Sequence, residues 1–209
     1  MNRLLALLCA MALGLSATGT AQAATMSFGF FQEMAGITKQ GDIKIDLYTA
    51  PNVANVRIGA FGGEVMIDGL GTGGIGYKAS INRNVAAYGM LYLDSGTNVT
   101  NIQGGASYTG QSDALIYNLN GHILSSGGTT STSINGAVFY AMSQRQVGGK
   151  VYIGGELLLE LSPTNTTVIT AGLRWMPKRN LIMDTGLMTS SGGTTSFVTP
   201  AYVRINLGL

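Results

Sequence analysis

The chain has 209 residues, with 12 Lys or Arg against 10 Asp or Glu and a formal net charge of +2. Charged residues make up only 11% of it, against about 25% in an ordinary soluble domain, while its 31 glycines are about twice the usual share. So small a net charge leaves no basic field for nucleic acid, and a surface so poor in charge must in part face something other than water.

Residues 1–23 read as a secretory signal peptide. Arg3 supplies the positive start, Leu4 to Leu15 the apolar core, and Ala21-Gln22-Ala23 the small-x-small cleavage site. Cleavage there makes Ala24 the first mature residue and leaves an excess of one basic residue. It also removes Cys9, the only cysteine, so no disulfide and no cysteine metal site is expected. Residues 24–41 alternate poorly. Phe28, Phe31, Met34 and Ala35 have rough helical spacing, with Gly41 placed to end such a helix, and the segment reads as an N-terminal arm, a short plug or an extra strand segment.

From residue 42 onward strand patterns follow one another, divided by Gly, Asn, Ser, Asp and Pro turns. Ile43, Ile45 and Leu47 alternate with Lys44, Asp46 and Tyr48. Ala54, Val56 and Ile58 alternate with Asn55, Arg57 and Gly59, then Val65 and Ile67 with Glu64, Met66 and Asp68. Ile75, Tyr77 and Ala79 stand against Gly76, Lys78 and Ser80. Further strands are predicted over 85–94, 99–108, 113–124, 133–142, 150–161, 166–176, 181–189 and 198–209. The total is twelve, and merging 53–69 into one strand leaves ten as the alternative. An even number suits an antiparallel barrel with both termini on one side.

No apolar run after the signal reaches the ~20 residues of a spanning helix, so a membrane protein of this sequence must be a closed barrel. The rivals are a soluble sandwich and a secreted adhesin. Two patterns favour the barrel. The apolar rows are Leu, Ile, Val and Met on the first and last strands as well as the middle ones, where a sandwich blunts its edges with charge or proline. The polar faces are also mainly Ser, Thr, Asn and Gly, where a sandwich would carry more Lys and Glu. As a barrel requires, though a sandwich would alternate too, the alternation puts Lys44, Asp46, Arg57, Glu64, Asp68, Lys78, Glu156, Glu160, Arg174, Asp184 and Arg204 on the polar face, away from lipid, where a Lys or Arg at the midplane costs roughly 2–4 kcal/mol. The expected fold is therefore all-β, an antiparallel up-and-down transmembrane β-barrel over 42–209 with short loops. Counting back from Leu209 puts the linkers 82–84, 110–112, 143–149 and 177–180 on the periplasmic side and 95–98, 125–132, 162–165 and 190–196 outside. Closure should set Arg204 beside Lys44 and Asp46 at the seam.

Catalytic chemistry is sparse. His122, the only histidine, shares a face with Asn118 and Asn120. Outer-membrane lipid hydrolases pair a serine with a histidine, yet Ser125 falls on the opposite face and Ser126 at the turn, so His122 reads as a polar lumen residue. Glu156 and Glu160 share a face about 13 Å apart along a strand, too far for a paired-carboxylate site. Gly104-Gly105 and Gly154-Gly155 lie inside strands without a following helix, so they read as bends or bulges rather than phosphate loops. No metal and no cofactor is expected.

The run from Ala171 to Leu187 (AGLRWMPKRNLIMDTGL), a turn, and the end from Ala201 to Leu209 (AYVRINLGL) resemble the closing hairpins of bacterial outer-membrane β-barrel proteins. The resemblance covers about forty residues. It implies integral outer-membrane location, contact with outer-membrane lipids, and recognition of Val198 to Leu209 by the barrel-assembly machinery. In those proteins the last residue is usually aromatic, whereas here it is Leu209. The expected function is a porin-like passive channel or transporter for small solutes. The alternatives are a closed structural barrel of the envelope and, behind it, a lipid-modifying barrel enzyme.

Overall fold

The computed structural model describes residues 34–49, 52–68, 73–93, 100–112, 114–143, 149–162, 165–178, 180–191 and 197–209. The expected signal peptide at 1–23, residues 24–33, the predicted linker at 95–98 and residues 192–196 of the predicted linker at 190–196 lie outside these. Twelve strands follow in order: β1 Ile43–Thr49, β2 Asn52–Ala60, β3 Gly63–Asp68, β4 Gly73–Ser80, β5 Val85–Leu93, β6 Thr100–Gln111, β7 Leu115–Ser126, β8 Thr129–Ser143, β9 Lys150–Ser162, β10 Thr167–Lys178, β11 Leu181–Ser191 and β12 Phe197–Gly208. Each pairs antiparallel with its sequence neighbours, and β1 pairs with β12 to close the barrel, which leaves no sheet edge. Ile43 and Leu209 exchange backbone hydrogen bonds of 3.2 and 2.7 Å at that seam. The end of the barrel holding Ile43 and Leu209 is called proximal here, the other distal.

The ten-strand alternative fails at Phe61 and Gly62. Both take left-handed φ, 55° and 77°, and turn β2 back onto β3 with Arg57 opposite Met66. A two-residue left-handed turn matches the twist of a hairpin, but an aromatic residue at positive φ is uncommon. The Tyr77 hydroxyl donates to the Phe61 carbonyl at 2.8 Å, which holds this turn. On the distal side, the expected loop over 125–132 is also overturned. β7 continues to Ser126 and β8 begins at Thr129, because Gly127 (φ 54°) and Gly128 (φ 88°) supply both left-handed positions and free the flanking Ser and Thr to pair as strand.

The paired glycines inside strands make no bulges. The register is continuous through Gly104, Gly105, Gly154 and Gly155, and breaks instead near Ser133, Met142, Pro177 and Leu187. Gly105 and Gly154 give up side-chain volume to neighbouring rings: a Cβ at Gly105 would stand 2.6 Å from the Tyr88 ring, and one at Gly154 2.4 Å from Phe139. Large inward aromatics thus lie flat along the wall.

Inside and outside are inverted relative to a soluble protein. Ile75, Leu93, Leu119, Ile123, Val138, Leu161, Ile169 and Leu187 are exposed, whereas Asp46, Arg57, Glu64, Lys78, Arg174 and Asp184 are buried within the barrel. Outward aromatics collect at one level: Tyr77, Tyr108, Tyr117, Tyr140 and Trp175 each stand two or three residues from the proximal end of their strand. Tyr108 and Tyr117 are neighbours, with ring centres 6.0 Å apart.

Candidate functional site: the barrel lumen

The inward faces of β1–β4 and β9–β12 carry the charges. Ion pairs between neighbouring strands are laid along the wall. On β3 and β4, Glu64 faces Lys78 in register, and Lys78 Nζ lies 2.9 Å from Glu64 Oε1 with both side chains fully buried. Arg57 on β2 reaches Asp68 on β3, Nη1 to Oδ1 3.0 Å. Arg174 on β10 faces Asp184 on β11 and binds it with two parallel bonds, Nε to Oδ1 at 2.8 Å and Nη2 to Oδ2 at 2.6 Å. Its guanidinium also sits 4.6 Å from the centre of the Phe139 ring. A planar fork on a carboxylate and a stacked ring is geometry that lysine does not reproduce.

Each of these three pairs joins adjacent strands, so within them charge is neutralised along the circumference. Asp46 and Glu156 are buried on the same inner surface, and Lys44 and Glu160 are half-buried. Arg204 departs from its expected position. The register sets it opposite Tyr48 on β1 and opposite Asp184 on β11, with Asn206 facing Asp46 and Gly208 facing Lys44. Asp184 is therefore flanked by arginines on both neighbouring strands. Sequence alternation alone gives the face of Arg204 but not its height, because the stagger between first and last strands is invisible until the barrel closes.

The inward faces of β5–β8 carry no charge among the described residues and present amides and hydroxyls. Tyr88 on β5 reaches over Gly105 to donate to Asn120 Oδ1 at 3.2 Å, and Thr109 donates to Asn118 Oδ1 at 2.9 Å. Tyr92 lies 3.1 Å from both Asp68 Oδ2 and Gln103 Oε1, linking the neutral wall to the charged one. His122 stands opposite Gly105 on one side and Ser133 on the other, while Ser125 is exposed on the outer surface and Ser126 ends β7. The described structure gives His122 Nδ1 no hydrogen-bond partner. Asn55, Asn101 and Asn135 likewise have side-chain oxygens without a protein partner. Such buried groups call for water or a polar solute.

The proximal lumen holds a part that alternation did not specify. Residues 34–40 are not helical. Met34, Ala35 and Thr38 are buried within the barrel, and Met34 packs with Ile116, Ala137, Phe139 and Tyr152 of β7–β9. Thr38 donates its backbone N–H to Glu64 Oε2 at 2.7 Å and its hydroxyl to the same oxygen. Residues 34–38 are mostly apolar or small and follow no strand period, so alternation carried no signal of this placement.

No protein-family model matches the chain, and curated proteins give no match. Three solved barrels are similar to it in shape. A KdgM porin in complex with disordered oligogalacturonate has 13% identity and a TM-score of 0.43, with 80% of this chain and 95% of that one covered. The anion-selective porin from Comamonas acidovorans has 15% identity and a TM-score of 0.37, with 75% and 58% covered. The N-terminal β-barrel domain of Pseudomonas aeruginosa OprF has 12% identity and a TM-score of 0.27, with 82% and 100% covered. At these values the likeness is one of barrel architecture at most.

Proposed function

We propose that the protein is an integral outer-membrane barrel that passes small solutes through a polar lumen, without enzymatic activity. The membrane part of this reading is supported by the inverted surface: an apolar exterior, buried charges, and a level of Tyr and Trp near the proximal rim such as membrane interfaces favour. The channel part is carried by one observation, the laying of the Glu64–Lys78, Arg57–Asp68 and Arg174–Asp184 pairs along the wall. Here the pairs lie along the wall, the buried side-chain oxygens of Asn55, Asn101 and Asn135 call for water or a polar solute, and neutralisation within each pair implies weak ionic selectivity.

Conductance across a planar bilayer after refolding tests the channel directly, with discrete steps expected. Their absence at every voltage would favour the closed envelope barrel. Heat-modifiable gel migration tests the membrane barrel itself, and a protein that stays soluble without detergent overturns it.

A further inference from the structure

We propose that residues 34–38 form a gate seated in the proximal lumen, latched by Glu64 and Thr109 and able to withdraw without disturbing the wall. The inference rests on the channel reading above.

The seat spans the lumen. At one side Thr38 is held by Glu64 of β3, and Lys78 Nζ of β4 lies 3.4 Å from the Met34 carbonyl oxygen. Further along, Ala35 donates its N–H to Thr109 Oγ1 of β6 at 2.8 Å. At the far side the Met34 side chain enters the apolar cluster of Ile116, Ala137, Phe139 and Tyr152. A segment touching β3, β4, β6 and β7–β9 crosses the opening from wall to wall.

Two features distinguish a seated gate from permanent core. First, residues 34–38 form no strand with the wall, so withdrawal breaks no ladder between strands. Second, both latching side chains keep a wall partner of their own: Glu64 Oε1 holds Lys78 Nζ at 2.9 Å, and the Thr109 hydroxyl donates to Asn118 Oδ1 at 2.9 Å. When the segment leaves, no wall charge loses its counter-ion. A buried carboxylate without that second partner would oppose opening.

The hinge lies where the segment meets β1. Gly41 takes φ +88°, its N–H bonds the Gly59 carbonyl at 2.9 Å, and the Asp42 N–H returns to the Lys39 carbonyl at 3.0 Å. A Cβ on Gly59 would stand 1.7 Å from the Lys39 carbonyl oxygen, so the wall carries a glycine where the chain crosses it. This anchorage keeps the segment tethered while its latch is free.

A reversible cross-link tests the gate. The chain from residue 24 onward has no cysteine, so Ala35→Cys with Thr109→Cys introduces the only thiol pair. The proposal expects this pair to oxidise readily after refolding, the oxidised barrel to show at least about tenfold lower open probability in bilayers than the same sample after reduction, and reduction to restore it. Thr38→Val, which removes one donor to Glu64 and leaves the Glu64–Lys78 pair, should raise the open probability about fivefold. Failure of the cysteines to pair in a folded, heat-modifiable barrel refutes the seating. Pairing with equal conductance before and after reduction refutes the gate and leaves the channel intact. Pairing with no conductance in wild type, Thr38→Val or the reduced protein refutes the channel reading and the gating with it, leaving only the seating. An unchanged open probability in Thr38→Val with a working cross-link overturns the Glu64 latch.

Discussion

Replacing Arg174 by Met removes the charge from the most fully engaged ion pair in the lumen while keeping an unbranched apolar stem. Arg174 and Asp184 have no solvent exposure, share two bonds of 2.8 and 2.6 Å, and stack against Phe139. Removing one partner strands the other as a desolvated charge, a loss of about 3–5 kcal/mol in general. A cost of at least about 3 kcal/mol is therefore expected for Arg174→Met. Arg174→Met with Asp184→Leu together should cost well below the sum of the single changes, with a coupling of about 2–3 kcal/mol, because neither charge is then left alone. Urea unfolding of the barrel in lipid vesicles provides the assay, followed by the fluorescence of Trp175, the only tryptophan, which points outward from β10. A cost below about 1 kcal/mol for Arg174→Met, or additivity of the two changes, would refute the view that this pair is mutually dependent.

The glycines offer a matched comparison. Gly105→Ala drives a methyl into the Tyr88 ring and should cost about 1–3 kcal/mol, whereas Gly104→Ala, whose Cβ meets nothing closer than 3.9 Å, should stay within about 0.5 kcal/mol. Equal unfolding midpoints would refute the packing of Tyr88 across the wall. Gly128→Ala forces a methyl-bearing residue to φ 88° and should cost about 1–2 kcal/mol, with the loss appearing as slower refolding or a lower midpoint. An unaffected Gly128→Ala barrel would show that the β7–β8 turn takes another form. Arg204→Leu should lower barrel stability more than Arg83→Leu, since Arg204 faces Asp184 across the strand and Arg83 is exposed in the β4–β5 turn. Equal thermal shifts in the two variants would count against the register at the seam.

Alternation made the wall legible because lipid and lumen impose period 2 on every strand, and the seam follows from the same pattern running to Leu209. It failed where the constraint differs. Ser125 to Thr132 contains no large apolar residue, so its strand character rests on two left-handed glycines that composition renders as a loop. The pairing of glycines with rings is set by neighbours on the next strand and leaves no trace in either strand alone. Stagger is a property of closure, which is why alternation does not give the height of Arg204 against β1. Residues 34–38 follow no period because Met34, Ala35 and Thr38 each make a different contact: one carbonyl on Lys78, one N–H on Thr109, one threonine on Glu64.

The wall is also uneven in length. β1 and β3 have seven and six residues, while β8 has fifteen. Tilted at about 40°, a seven-residue strand rises roughly 18 Å and a fifteen-residue strand about twice that, against an apolar band of about 25 Å in membrane barrels. In the membrane proposed above, lipids beside β1–β4 would shorten or splay to meet the low side, while those beside β8 would remain extended. The protein would carry its own thin spot in the bilayer, prefer short-chain lipids on that flank, and insert most readily where the membrane is already thin.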